Sequence, residues 1–246
     1  MKIAVAGGTG TVGRHVVDVA REQGHDTVVL SRATGVDLVT GSGLRPALEG
    51  ADVVVDVSSV GTRSAATSRE FFRAVTLNLL RAEEATGVGH HVALSIVGAE
   101  RAPFGYYAGK ALQEELLTRS RVPWTVLRAT QFHEFAEQVL GQATLGPVGL
   151  VPVMRSRPVA AREVGERLVE LAGEGAAGRV RDLGGPEVLR LVDMVRAYAR
   201  ATGRRGPVVA VPLPGGFGKA LRDGTILPGP DADRGRQTFS EWVAQS

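Results

Sequence analysis

The stretch Lys2-Ile3-Ala4-Val5-Ala6-Gly7-Gly8-Thr9-Gly10-Thr11-Val12-Gly13 decides how the rest of the chain is read. Ile3 to Ala6 is an uncharged apolar run of strand length, as in a strand covered on both faces. Glycines come next as Gly8-x-Gly10-x-x-Gly13, and Val12, Val16, Val19 and Ala20 then share one face of a helix expected over 11–23. A strand, a glycine turn and a helix start bring unpaired N–H groups and a positive dipole end to a backbone without obstructing side chains. This context suits the pyrophosphate of a dinucleotide, cradled by Gly7, Gly8, Thr9, Gly10, Thr11, Val12 and Gly13.

Outward from that loop, short Val-rich runs at 27–30, 36–38, 53–56, 92–94 and 125–127 read as further strands. Helical spacing lies between or after them at 71–85 and 108–119, where Arg121-Val122-Pro123 ends the pattern. Alternation of this kind predicts a Rossmann-type α/β fold, with a doubly wound parallel sheet. Beyond Leu140 the pattern loosens into turns and short strands, with helices expected at 163–172, 192–202 and 239–243. The chain is read as a single domain, 1–246. Residues 1–135 form the cofactor-binding core, and 136–246 a small C-terminal α/β lobe that shapes a substrate pocket. The ligand crevice is expected between the lobes, at the carboxyl ends of the strands.

The residues at the end of the second strand select the dinucleotide. NAD-binding folds place an acid about 20 residues beyond the loop for the ribose hydroxyls. Here the strand ends in Ser31-Arg32, and a guanidinium there can pair with a 2′-phosphate. NADP(H) is therefore the expected cofactor, and a small molecule the expected partner. The net charge of +3 gives no reason to expect nucleic acid, because the 26 arginines are scattered among acids. Cysteine is absent, which excludes disulfides and thiolate metal sites. With no signal peptide or membrane-spanning run read in the sequence, a cytoplasmic protein is expected, and a homodimer is compatible with these features.

The sequence resembles the atypical short-chain dehydrogenase/reductases of the NmrA-like, NAD(P)H-binding type. The resemblance rests on the opening glycine motif, Leu30-Ser31-Arg32, Val36-Asp37-Leu38, Leu94-Ser95-Ile96-Val97-Gly98 and Tyr106-Tyr107-Ala108-Gly109-Lys110. Trp124 through Phe132 and the late Thr238-Phe239-Ser240-Glu241-Trp242 extend it. It implies a catalytic set of Tyr106, Lys110 and Ser95, with Lys110 also binding the nicotinamide ribose; Asp37, and Ser58 and Ser59 after the strand that ends at Asp56, are expected to join Ser31 and Arg32 around the cofactor. Tyr106 and Lys110 share a helix face, so the ammonium is expected to lower the phenol's pKa from about 10. The phenol would then protonate a carbonyl oxygen as hydride arrives from the nicotinamide. Two departures from the family pattern stand out. Phe72 falls where many members carry an asparagine of the catalytic tetrad, leaving Asn78 a structural position. Ser95 precedes Tyr106 by 11 residues, a short gap for the family.

Tyr107, Gln131, Phe132 and His133 are the candidate substrate contacts, since Gln131-Phe132-His133 comes directly after the last core strand. No metal is expected. His90-His91 has no carboxylate or third ligand at metal spacing, and no Gly-x-Ser-x-Gly elbow supports a serine hydrolase. The expected activity is an NADPH-dependent oxidoreductase acting on a small carbonyl, quinone or enone. The alternatives are a non-catalytic NADP(H)-binding redox sensor and a redox-neutral isomerase or cyclase.

Overall fold

The computed structural model describes residues 1–142, 144–145 and 148–245. The chain opens with β1 (Lys2–Ala6), α1 (Thr11–Glu22), β2 (Asp26–Leu30), α2 (Leu44–Leu48), β3 (Val53–Asp56) and α3 (Ala65–Thr86). Next come β4 (His90–Ile96), α4 (Tyr106–Thr118), β5 (Trp124–Ala129), α5 (Phe135–Gln142), β6 (Thr144–Leu145), β7 (Val148–Pro152) and β8 (Arg155–Ser156). α6 (Ala161–Glu174), β9 (Gly178–Arg179), β10 (Leu183–Gly184), β11 (Leu189–Arg190), α7 (Leu191–Ala201), β12 (Val208–Val211), α8 (Gly215–Asp223), β13 (Asp233–Arg234) and α9 (Phe239–Val243) complete it. These elements form two compact units, 1–128 with 162–181 and 129–161 with 182–246.

The first unit is the expected Rossmann-type α/β arrangement. Its strands stand in the order β5-β4-β3-β1-β2. β1 runs parallel to both neighbours, with Ala6 in register with Leu30 on one side and Asp56 on the other. The chain thus leaves β1 where successive connections turn to opposite sides of the sheet, and the glycine loop sits at that switch. The strands are Val-rich because helices cover both faces: β3 is buried throughout, and α1 turns Val12, Val16, Val19 and Ala20 inward. α3 and α4 pack closely at Gly109, where an added Cβ would overlap Ser68 Oγ and lie 2.6 Å from the Ser68 carbonyl oxygen.

One expected strand does not form. Residues 36–38 are a loop: the Asp37 carboxylate accepts from the N–H groups of Val39 and Thr40 at 2.8 and 3.2 Å, and so bends the backbone on itself. Val36 is nonetheless buried in the core cluster and Leu38 packs against it, which is why the run looks like a strand. α3 begins at Ala65, ahead of the expected 71, because Ser64 Oγ caps it by accepting from the Thr67 N–H at 3.3 Å.

The second unit carries a three-stranded sheet in the order β12-β7-β6 and the antiparallel pair β11-β8. In it Leu183 of β10 pairs with Ala129, and Gly184 with Arg234 of β13. α9 starts at a capping box in which Thr238 and Glu241 bond each other's backbone. Its Phe239 and Trp242 stack, and Trp242 stacks on Tyr198 of α7. No helix among the described residues is long and apolar enough to cross a membrane.

Candidate cofactor and active site

The glycine loop has the shape a phosphate cradle requires. Gly7 turns at φ +80°, and a Cβ on it would come within 2.9 Å of Ser58 Cα at the end of the neighbouring strand. A Cβ on Gly13 would overlap the Gly7 carbonyl oxygen, so only glycine lets α1 start this close to the turn. Gly8, Val12 and Gly13 are buried, Thr11 is half-buried, and Thr9 and Gly10 are exposed. α1 has no side-chain cap and no acid in its first turn, which leaves its N-terminal field positive. Across the loop the Ser58 N–H donates to Asp56 Oδ1 at 2.9 Å. The Ser58 hydroxyl is buried with no hydrogen-bond partner among the described residues. An orphaned buried hydroxyl beside a side-chain-free cradle fits a polar ligand laid over the loop.

Ser31 and Arg32 stand at the carboxyl end of β2, where a single 3-10 turn begins. Ser31 is half-buried and Arg32 exposed, and no carboxylate among the described residues is paired with Arg32. Asp37 is absorbed in its own turn by the Val39 and Thr40 N–H groups. The loop after it is pinned by Asn78, whose Nδ2 donates to the carbonyls of Leu38 and Val39 at 3.1 and 2.7 Å.

Tyr106 opens α4 and Lys110 stands one turn later, but their polar atoms go to different partners. The Tyr106 hydroxyl accepts from Ser59 Oγ at 3.3 Å. Lys110 Nζ donates to the Leu94 carbonyl and to Gln113 Oε1, both at 2.8 Å. Both side chains meet the buried Phe72 ring, Tyr106 edge-on at 5.5 Å and the ammonium at 4.3 Å from the centroid. The expected lowering of the phenol's pKa is therefore reversed: burial pushes Tyr106 up to about 12, outweighing the Ser59 hydrogen bond. Burial likewise brings Lys110 down to about 8, against the pull of Asp56 and Glu114. Ser95 is not joined to Tyr106. Its hydroxyl donates to Glu114 Oε1 at 2.5 Å, and Arg128 holds the same carboxylate at 2.6 Å.

The sequence reading missed two residues of this site, Gln113 and Glu114. The Gln113 amide bridges opposite charges, accepting from Lys110 and donating from Nε2 to Asp56 Oδ2 at 2.7 Å. The signal was present: Gln113 and Glu114 stand three and four residues after Lys110, on the same helix face, and all three are buried. Buried polar groups must find one another.

Of the candidate substrate contacts, Tyr107 belongs to the first unit and Gln131, Phe132 and His133 to the second. Tyr107 is buried on α4. In the second unit Gln131 Oε1 accepts from Ser156 Oγ at 2.6 Å, and half-buried Phe132 bridges to Val159. His133 is fully buried, its Nε2 lies 3.2 Å from the Gln237 carbonyl, and its ring packs against Phe239 and Trp242. The absence of a carboxylate near His90-His91 is corrected by the fold. Glu83, from α3, lies 2.8 Å from His91 Nδ1 with both side chains fully buried. Among the described residues no group of three or more His, Asp or Glu is arranged to hold a metal ion.

Residues 7–172 match the NAD(P)H-binding family. The photosystem II assembly factor Ycf39 of Synechocystis is 28% identical over 236 residues, covering 87% of this chain and 71% of that protein. Among solved structures, MoeE5 in complex with UDP-glucose and NAD has a TM-score of 0.76 at 19% identity, over 99% of this chain and 96% of the other. The NADPH-dependent quinone oxidoreductase QOR2 of Escherichia coli, complexed with NADPH, has a TM-score of 0.68 at 19% identity, over 99% of each chain. At such identities the structural likeness establishes the fold.

Proposed function

We propose that this chain, which belongs to the NAD(P)H-binding family of atypical short-chain dehydrogenase/reductases, binds NADP(H) and reduces a small carbonyl, quinone or enone. One observation carries the reading. The Tyr106 hydroxyl is hydrogen-bonded to Ser59, the residue after Ser58, whose backbone lies against Gly7 of the glycine loop. A phenol is thus tethered beside the loop that suits a dinucleotide. Arg32, exposed at the end of β2 without a carboxylate, supports the 2′-phosphorylated form of the cofactor, with Ser31 and Asp37 flanking the same end.

The bound dinucleotide would supply hydride. The chain's own residues handle the proton. With its pKa near 12, Tyr106 keeps its proton throughout the neutral range, so it acts as the acid that protonates the substrate oxygen. Ser59 Oγ donates to the phenol oxygen and stabilises the charge left there. Lys110 spends two of its three N–H donors on Leu94 and Gln113. The third is available for a ribose hydroxyl, and the Gln113–Asp56 bridge fixes where the ammonium stands.

A second reading, a non-catalytic NADP(H)-dependent regulator, is favoured by the commitment of Ser95 to Glu114 rather than to Tyr106. The two readings separate in one assay, NADPH oxidation monitored by absorbance against quinones, enones and ketones. For a reductase, Tyr106→Phe lowers kcat by about 10²-fold or more while the NADPH Kd stays within about twofold. Tight NADPH binding without turnover on any substrate establishes the regulator instead, and turnover unchanged in Tyr106→Phe removes the tyrosine from the chemistry.

A further inference from the structure

In the second unit a guanidinium is buried with no counter-charge among the described residues. Arg157 stands just after β8 and is only 9% exposed. Its backbone is fixed from two sides: the carbonyl accepts from Thr130 Oγ1 at 2.5 Å and from the Gly185 N–H at 3.0 Å. Arg157 Nε returns a hydrogen bond to the Gly185 carbonyl at 2.7 Å. The stem runs against Gly184, where an added Cβ would stand 3.3 Å from Arg157 Cδ. Among the described residues neither Nη group has an acceptor, and neither is sealed from solvent.

The surroundings sharpen the anomaly. Arg234 on β13 pairs in register with Gly184, the residue that the Arg157 stem crosses. Burial, and then the Arg234 charge, hold the Arg157 pKa below the usual arginine value, and no carboxylate offsets either. A charge largely withdrawn from water beside a like charge is unfavourable, and an anion at its open edge offsets that cost. The parts left free are two parallel Nη donors, the fork that grips an oxyanion. They stand on a stem already immobilised, so ordering the side chain costs a ligand little.

We propose that Arg157, assisted by Arg234, is an oxyanion-binding site for the phosphate or diphosphate group of a small ligand. The site uses residues of the second unit alone and stands apart from the NADP(H) reading. Arg157 supplies the bidentate contact and Arg234 long-range attraction from an exposed position.

The test is a calorimetric titration of the full chain with inorganic pyrophosphate, with and without saturating NADPH. Arg157→Leu is expected to weaken binding by at least about tenfold. Arg234→Gln, an exposed change that spares the fold, is expected to weaken it by about threefold to fivefold. Arg32→Ala is expected to leave it unchanged. In phosphate-free buffer Arg157→Leu should melt at or above the wild-type temperature, because an uncompensated buried charge has gone. Added pyrophosphate should raise the wild-type Tm and leave that of Arg157→Leu where it was. Wild-type affinity in both Arg157→Leu and Arg234→Gln overturns the proposal. So does binding that disappears in Arg32→Ala or under saturating NADPH, which assigns the anion to the glycine loop.

Discussion

His91 Nδ1 and Glu83 Oε1 face each other at 2.8 Å with both side chains fully buried. Burial alone would pull the imidazole toward its neutral form, but the Glu83 charge and hydrogen bond outweigh it, so the pKa is raised above 6.5. A raised folded pKa contributes stability that is complete below the unfolded value and is lost as pH rises through the folded one. Urea midpoints are therefore expected to fall as pH is raised above about 6.5, with the slope smaller in His91→Gln. Lys110, depressed to about 8, works with the opposite sign above that pH, so the readout is the difference between wild type and variant. Equal slopes would mean that His91 does not carry the effect. Glu83 sits eight residues before His91, next to a second acid, Glu84. Only the rotation of α3 decides which of the two turns inward.

The α3–α4 contact rests on the absence of a side chain at Gly109, since any Cβ there meets the Ser68 backbone as well as its hydroxyl. Gly109→Val is expected to cost roughly 1–3 kcal/mol or more by overpacking. In a thermal melt this appears as a Tm lower by several degrees, and an unchanged Tm would show that the two helices separate freely. The same contact displaces Tyr106 and Lys110 from the arrangement expected of them, because it seats the Phe72 ring against both. The substitution of phenylalanine was legible at position 72. That the ring would draw the ammonium to itself was not, since this depends on how deeply α4 settles onto α3. At 36–38 the short apolar run misled for a related reason: apolar residues are needed wherever a segment lies on the core, and Asp37 turns this one into a loop.

At the scale of the molecule, a ligand that binds only the folded chain adds stability by mass action. NADPH at a hundred times its Kd is expected to stabilise the fold by about 2.7 kcal/mol. NADH at the same concentration should shift the Tm less, and Arg32→Ala should bring the two shifts together. Equal shifts in the wild type would remove Arg32 as the selector. The strand–glycine–helix opening of the sequence determined the parallel Rossmann core, because local periodicity and glycine sterics act over a few residues and need no distant partner. It determined the cofactor class for the same reason. Tertiary structure alone decided that Ser95 serves Glu114, that Ser59 meets Tyr106, and that Gln113 joins Lys110 to Asp56. Each of these pairs unites residues from different elements or turns. Which partner a buried polar group finds is set by how helices and strands pack, and that packing is not written in any one stretch of the chain.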